Sequence, residues 1–229
     1  MKFRVSEHEK SLIMKIGITN LKGGVGKTTI SQNLAVCFAS MGFKTCIVDT
    51  DTNQNSLAWS GVRDENLANI TVVGGTDPKA LGKTVENLHR DYEVVIIDGT
   101  PSLSEMTTRI ILSSDLLIIP ILPSAHDFRA MQPFFERYEQ AREFRADIPA
   151  YFLINQFSHS GNIYKGMREA ISGFGLEVLK SNVNKRAAYV ETALDGRGVY
   201  ESSDNKAKSE MVELTREILE KATELGLIK

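Results

Sequence analysis

The stretch Lys22-Gly23-Gly24-Val25-Gly26-Lys27-Thr28-Thr29 decides the fold. Ile16-Gly17-Ile18-Thr19 before it reads as a strand, and the run from Ile30 to Ser40 after it reads as a helix. A glycine-rich turn between strand and helix lets backbone N–H groups converge on an anion. The positive end of the helix dipole adds to that field. Gly23, Gly24 and Gly26 carry no side chain, so phosphate oxygens can approach the backbone closely. Lys27 supplies a point charge, and the Thr28 hydroxyl is an oxygen ligand of the kind Mg2+ takes. The whole stretch from Lys22 to Thr29 is therefore the candidate phosphate-binding set.

Outward from this loop, short apolar runs alternate with longer amphipathic stretches. The pattern predicts strands over 15–20, 45–49, 70–73, 94–98, 116–120 and 150–155, with a weaker one at 177–179. It predicts helices over 28–41, 55–65, 78–90, 103–113, 127–144, 162–174, 185–194 and 206–225. Strands alternating with helices build an α/β, doubly wound, mostly parallel sheet with helices on both faces. Right-handed crossovers then gather the loops after the strands along one edge, where ligands bind. No linker, repeat or low-complexity segment interrupts the pattern. One domain over 14–229 is expected, behind a short polar arm at 1–13.

The chain has 229 residues, 42% apolar and 24% charged, which suits a globular domain with a full core. A net charge of −2 gives no overall pull toward nucleic acid or anionic membrane, so any such binding must come from a local patch. The two cysteines, Cys37 and Cys46, fall within the first helix and the second strand. They read as small core residues without metal-ligand spacing, and a reducing cytoplasm is the expected compartment. No apolar run is long enough to span a bilayer.

Several polar residues sit where strands end. Val94-Val95-Ile96-Ile97-Asp98 is an apolar strand closing on an aspartate and continuing Gly99-Thr100-Pro101. Val48-Asp49-Thr50-Asp51 closes the second strand, with Thr52-Asn53 following and Trp59 a little further on. Asn155 closes Tyr151-Phe152-Leu153-Ile154, and is either a turn residue or an amide placed to donate and accept at once. Pro120 and Pro123 force an extended path after the fifth strand, and Asp127 reads as a cap for the next helix.

Leu21 stands where the ordinary P-loop pattern, G-x-x-x-x-G-K-[ST], has glycine, and a second lysine, Lys22, precedes Lys27. This loop resembles the deviant Walker A motif of the ParA/MinD family of ATPases, closest to the small ParA-type plasmid and chromosome partition ATPases. The resemblance covers nearly the whole chain. It implies a P-loop NTPase fold with ATP and Mg2+ as cofactors. It implies that Lys22 reaches across a homodimer to the partner's phosphates and that Asp98 holds Mg2+, as in a Walker B motif. Asp49 would lie just outside the metal shell, completing a metal set with Thr28 and Asp98. Asp51 would orient the attacking water, making Lys22, Lys27 and Asp51 the catalytic set. Asn155 would bond the adenine edge. The family has Pro-Gln where this chain has Thr52-Asn53, which bears on hydrolysis rate more than on nucleotide binding. Trp59 matches a recurrent aromatic of the small partition ATPases and equally fits a core tryptophan.

Family members that bind DNA place basic residues on late helices. The candidates here are Lys180, Lys185, Arg186, Arg197, Lys206 and Lys208, and the segment from Arg186 and Tyr189 to Gly196 and Val199 matches a family pattern. The alternative is an ordinary solvated surface. No segment resembles a helix-turn-helix reader, so binding to DNA would be non-specific and salt-sensitive. Members of the MinD kind end in a basic amphipathic helix on the membrane. The last helix here shows Met211, Leu214, Ile218, Ala222 and Leu225 on one face, and Glu210, Glu213, Glu217, Glu220 and Glu224 against Arg216 and Lys221 on the other. An acidic face is repelled by anionic lipid, which argues against a membrane role.

The resemblance thus implies a weak ATPase that dimerises with ATP and binds non-specific DNA. A centromere-binding or adaptor protein would stimulate hydrolysis, driving DNA partition at the nucleoid. The alternatives are an ATPase that positions a protein complex or organelle on the nucleoid, and a membrane-associated regulator of the MinD kind.

Overall fold

The computed structural model describes residues 14–102, 104–124, 131–158 and 161–228. Among these, seven strands form one sheet: β1 (Met14–Ile18), β2 (Thr45–Asp49), β3 (Ile70–Gly74), β4 (Val94–Asp98), β5 (Leu116–Ile121), β6 (Ala150–Phe157) and β7 (Glu177–Asn184). Their order is β3-β2-β4-β1-β5-β6-β7, and every neighbouring pair is parallel. The helices are α1 (Lys27–Ser40), α2 (Asn55–Gly61), α3 (Pro78–Leu88), α4 (Glu105–Ser113), α5 (Gln132–Arg142), α6 (Gly161–Ser172), α7 (Ala187–Leu194) and α8 (Asn205–Glu224), with a 3-10 turn at Val199–Glu201. The sheet is parallel throughout, of the expected doubly wound α/β class.

The continuous apolar runs follow from burial on both faces. In β4, Val94 and Ile96 point into a core shared with Met14, Ile16 and Ile18 of β1, Leu34 and Phe38 of α1, and Met211, Leu214 and Ile218 of α8. Val95 and Ile97 point the other way, onto Leu81 and Val85 of α3 and Met106 and Ile110 of α4. The register sets Ile18 beside Asp98 and Asp98 beside Asp49, so β1, β4 and β2 end level. That alignment brings the glycine-rich loop and both aspartates to one edge.

Four expectations need correction. The second helix ends at Gly61 rather than at 65, because Arg63 turns back and donates to the carbonyls of Ala68 and Gly196 and to Glu201. The seventh strand runs on to Asn184. Glu210 and Glu217, placed by helical periodicity on the solvent face of the last helix, turn inward. β7 is the outermost strand, and its N–H groups have no further strand to bond. Glu217 accepts from the Lys180 and Ser181 N–H groups at 2.6 and 2.8 Å. Glu210 accepts from the Asn184 N–H at 3.2 Å and from the Arg186 guanidinium. Leu225, expected on the apolar face, caps the helix and is partly exposed. The start of the helix expected from 103, Asp127, and the arm at 1–13 lie outside the described residues.

Carboxylates that finish a sheet edge are structural acceptors. Glu217→Ala should therefore cost about 2 kcal/mol in urea unfolding, from two strand N–H groups left without a partner. Glu213→Ala, on the exposed face of the same helix, should cost less than about 0.5 kcal/mol.

Candidate functional site

The loop after β1 turns on two glycines in the left-handed region, Gly24 at φ 76° and Gly26 at φ 92°. A Cβ on Gly26 would run into the Asn155 amide, so the position excludes any side chain. Gly26 caps α1, whose first residue is Lys27, and the N–H groups of this turn open at the positive end of the helix. Lys27 is 6% exposed, and its ammonium donates to the Lys22 carbonyl at 2.8 Å. Burial pulls its pKa down to about 8, against the attraction of Asp98 and Asp51. An arriving phosphate would favour the charged form again.

Asn20 holds this loop in place. Its side chain accepts from the Lys22 N–H at 2.9 Å and donates to the Pro120 carbonyl at 2.8 Å, tying the backbone of Lys22 to the end of β5. Sequence reasoning missed Asn20. A polar residue at a buried position just ahead of the glycines was the available signal, and it is 2% exposed.

Asp98 is 1% exposed and is ringed by hydroxyls. Its Oδ1 accepts from Ser31 at 3.1 Å and Thr28 at 3.4 Å, and its Oδ2 accepts from Ser56 at 2.8 Å. Burial pushes its pKa up to about 7, and Asp49 alongside pushes the same way; the three hydroxyl donors pull it down. Asp49 has a different task. Both its oxygens accept backbone N–H groups, from Asp51 on Oδ1 and from Ser56 and Leu57 on Oδ2. It thereby starts α2 as a helix-terminal carboxylate does. Burial raises its pKa also, and those N–H bonds oppose the rise. Asp51 lies on the more open turn and accepts from the Asn53 N–H at 2.9 Å. The Thr28 hydroxyl beside a buried carboxylate is a hard-oxygen donor set that fits Mg2+, which takes its remaining ligands from phosphate and water.

Asn155 is brought to the loop. Its amide donates to the Val25 carbonyl at 2.7 Å, which leaves one N–H and the carbonyl oxygen for another partner. Next to it Gln156 sits at φ 53° and donates to the Gly24 carbonyl at 3.2 Å. Trp59 is 4% exposed; its indole donates to the Arg197 carbonyl, and the Arg63 guanidinium lies 5.3 Å from its ring centroid. The core reading of Trp59 therefore holds.

The basic candidates lie on β7, the turns around α7 and the start of α8, away from the glycine loop in sequence and in element. Lys180, Lys185 and Lys206 are exposed. Arg186 is paired with Glu210, Arg197 with Asp195 at 2.5 Å, and the Lys208 ammonium is 5.4 Å from the Tyr200 ring centroid. Arg186 thus serves the sheet edge rather than an open surface.

The raised pKa of Asp98 sets a pH dependence for the ligand-free protein. A carboxyl with its folded pKa above the ordinary 3.8 stabilises the fold fully below that value, and the contribution is lost as pH rises toward about 7. Asp98→Asn should therefore unfold at a higher temperature than the wild type at pH 8, with the difference closing by about pH 4. Equal melting temperatures at pH 8 would contradict the assignment.

Comparison with known proteins agrees with this geometry. Residues 16–199 match the family described as the CobQ/CobB/MinD/ParA nucleotide binding domain. The chain is 27% identical over 213 residues to "Maintenance of carboxysome distribution protein A" of Halothiobacillus neapolitanus, covering 89% of this chain and 95% of that one. It is 27% identical over 176 residues to "Protein ParA" of Rhizobium radiobacter, covering 75% and 78%. Its fold matches the septum site-determining protein MinD of Pyrococcus horikoshii, solved with Mg-ADP, at a TM-score of 0.72 and 19% identity, covering 93% and 98%. Because the family match takes in the glycine loop, both strand-end aspartates and Asn155 together, the chain belongs to the ParA/MinD family of P-loop nucleotide-binding ATPases.

Proposed function

We propose that the chain is an ATP- and Mg2+-dependent switch that dimerises on ATP, binds DNA without sequence preference and is returned to monomers by partner-stimulated hydrolysis. One observation carries the reading: a two-lysine loop stands at a helix N-terminus with a buried, hydroxyl-ringed carboxylate beside Thr28.

In this reading the backbone from Gly23 to Thr29 and the Lys27 ammonium bind the phosphates. Thr28 and Asp98 hold Mg2+, and Asp49 keeps the adjoining turn in register. A cation held by Thr28 and Asp98 would supply charge neutralisation at the phosphates. Asp51 orients the water, and Asn155 offers its remaining N–H and oxygen to the adenine. Lys22 reaches the phosphates of a second copy. Thr52-Asn53, where the family has Pro-Gln, lies with Gln54 on an exposed turn in which Gln54 sits at φ 51°. This departure bears on how Asp51 is set, and hence on turnover more than on nucleotide binding.

The DNA surface would be Lys180, Lys185, Arg197, Lys206 and Lys208 at the β7 and α8 edge, doubled in a dimer. Domain 14–229 would act as one unit at the nucleoid, with a centromere-binding or adaptor protein as its stimulating partner. A second reading has a specific observation behind it, the match along 95% of a carboxysome distribution protein. The cargo would then be a protein assembly rather than DNA, with the same nucleotide cycle. A membrane-associated role has less support. Glu213, Glu220 and Glu224 keep the open face of α8 acidic, and no helix among the described residues is long and apolar enough to cross a membrane.

Binding to unrelated duplex DNA, measured with ATP, ADP and no nucleotide over a salt series, tests the proposal. ATP should tighten binding at least about tenfold over ADP, and affinity should fall steeply with salt. Binding that is absent in every nucleotide state would contradict the DNA half of the reading.

A further inference from the structure

We propose that Ser56 is a positioning residue for the divalent cation: its hydroxyl fixes the Asp98 carboxylate from α2, and so ties the start of that helix to cation binding. The inference rests on the nucleotide–Mg2+ reading above and adds to it a residue outside the family's motifs.

The two oxygens of Asp98 face different elements. Oδ1 accepts from Ser31 and Thr28, both on α1, and is the oxygen on the Thr28 side where a cation belongs. Oδ2 accepts from Ser56 alone among the hydrogen bonds of the described residues, at 2.8 Å, and Ser56 belongs to α2. Ser56 is fully buried. Its N–H donates to Asp49 Oδ2 at 2.8 Å, and the Gln32 amide donates to its hydroxyl at 3.5 Å. The hydroxyl accepts from Gln32 and gives its own proton to Asp98 Oδ2, while the backbone N–H of the same residue is fixed by Asp49.

Ser56 therefore bridges the two acidic strand ends and fixes the plane of the Asp98 carboxyl. Without it, the buried Oδ2 loses its side-chain donor among the described residues, and the carboxylate is free to turn away from the Thr28 side. Groups that orient a metal-holding carboxylate typically govern metal affinity by 10- to 100-fold (order of magnitude). Trp59, the chain's single tryptophan, stands one turn further along α2 and reports on that helix.

The test titrates Mg2+ into the full chain with ADP present, read by calorimetry and by Trp59 fluorescence, for wild type, Ser56→Ala and Ser56→Thr. ADP affinity in EDTA should be the same for all three. The Mg2+ midpoint should rise about 10-fold in Ser56→Ala and return toward wild type in Ser56→Thr, which keeps the hydroxyl. An unchanged midpoint in Ser56→Ala, an equal rise in both variants, or an ADP affinity lowered just as much in EDTA would overturn the role of Ser56 while leaving the nucleotide reading intact. A wild type that binds no ADP would overturn both.

Discussion

A carboxylate with 1% of its surface exposed has no bulk water to solvate it, so the residues around Asp98 must hydrogen-bond it, and they do so from two helices at once. Thr28 and Ser31 reach it from the helix of the phosphate loop, and Ser56 reaches it from α2. The parallel register that sets Ile18, Asp98 and Asp49 level makes this convergence possible. If β1, β4 and β2 ended at different heights, the glycine loop and the two acidic strand ends would lie apart. Both central strands must then be apolar on both faces, which is why this edge is fed by runs such as Val94-Val95-Ile96-Ile97.

The opposite edge of the sheet follows another rule. β7 ends the sheet, and its outward N–H groups would be left bare. α8 lies along it and supplies Glu217 and Glu210 as acceptors, with Lys221 pairing to Glu177 at 2.9 Å. The acidic character of this helix is thus partly internal. Arg186 is drawn into the same network, while Lys180, Lys185 and Lys206 stay open to solvent.

Much of this was legible in the sequence, for identifiable reasons. β2 and β4 match their expected bounds because each is a short apolar run stopped by an aspartate. The glycine loop announced the fold because positive φ and close approach leave few substitutes for glycine at Gly24 and Gly26. The illegible parts depend on distant partners. No local signal says that Arg63 folds back on Gly196 and ends α2 early, or that Glu217 faces a strand that lies 36 and 37 residues away. Periodicity reads glutamate as exposed, and only the position of β7 at the sheet edge turns it inward. Asn20, Ser31 and Ser56 were missed likewise: small polar residues on buried faces look ordinary until the buried carbonyl or carboxylate they serve is known.

The central claim is that ATP joins two copies through the loop lysine that precedes Lys27. Light scattering of wild type and Lys22→Ala, each with ATP, ADP and no nucleotide, tests it most directly. The account predicts a wild-type dimer with ATP alone. For Lys22→Ala it predicts a monomer in every state, with nucleotide binding largely kept. An ATP-dependent dimer that survives in Lys22→Ala would contradict it.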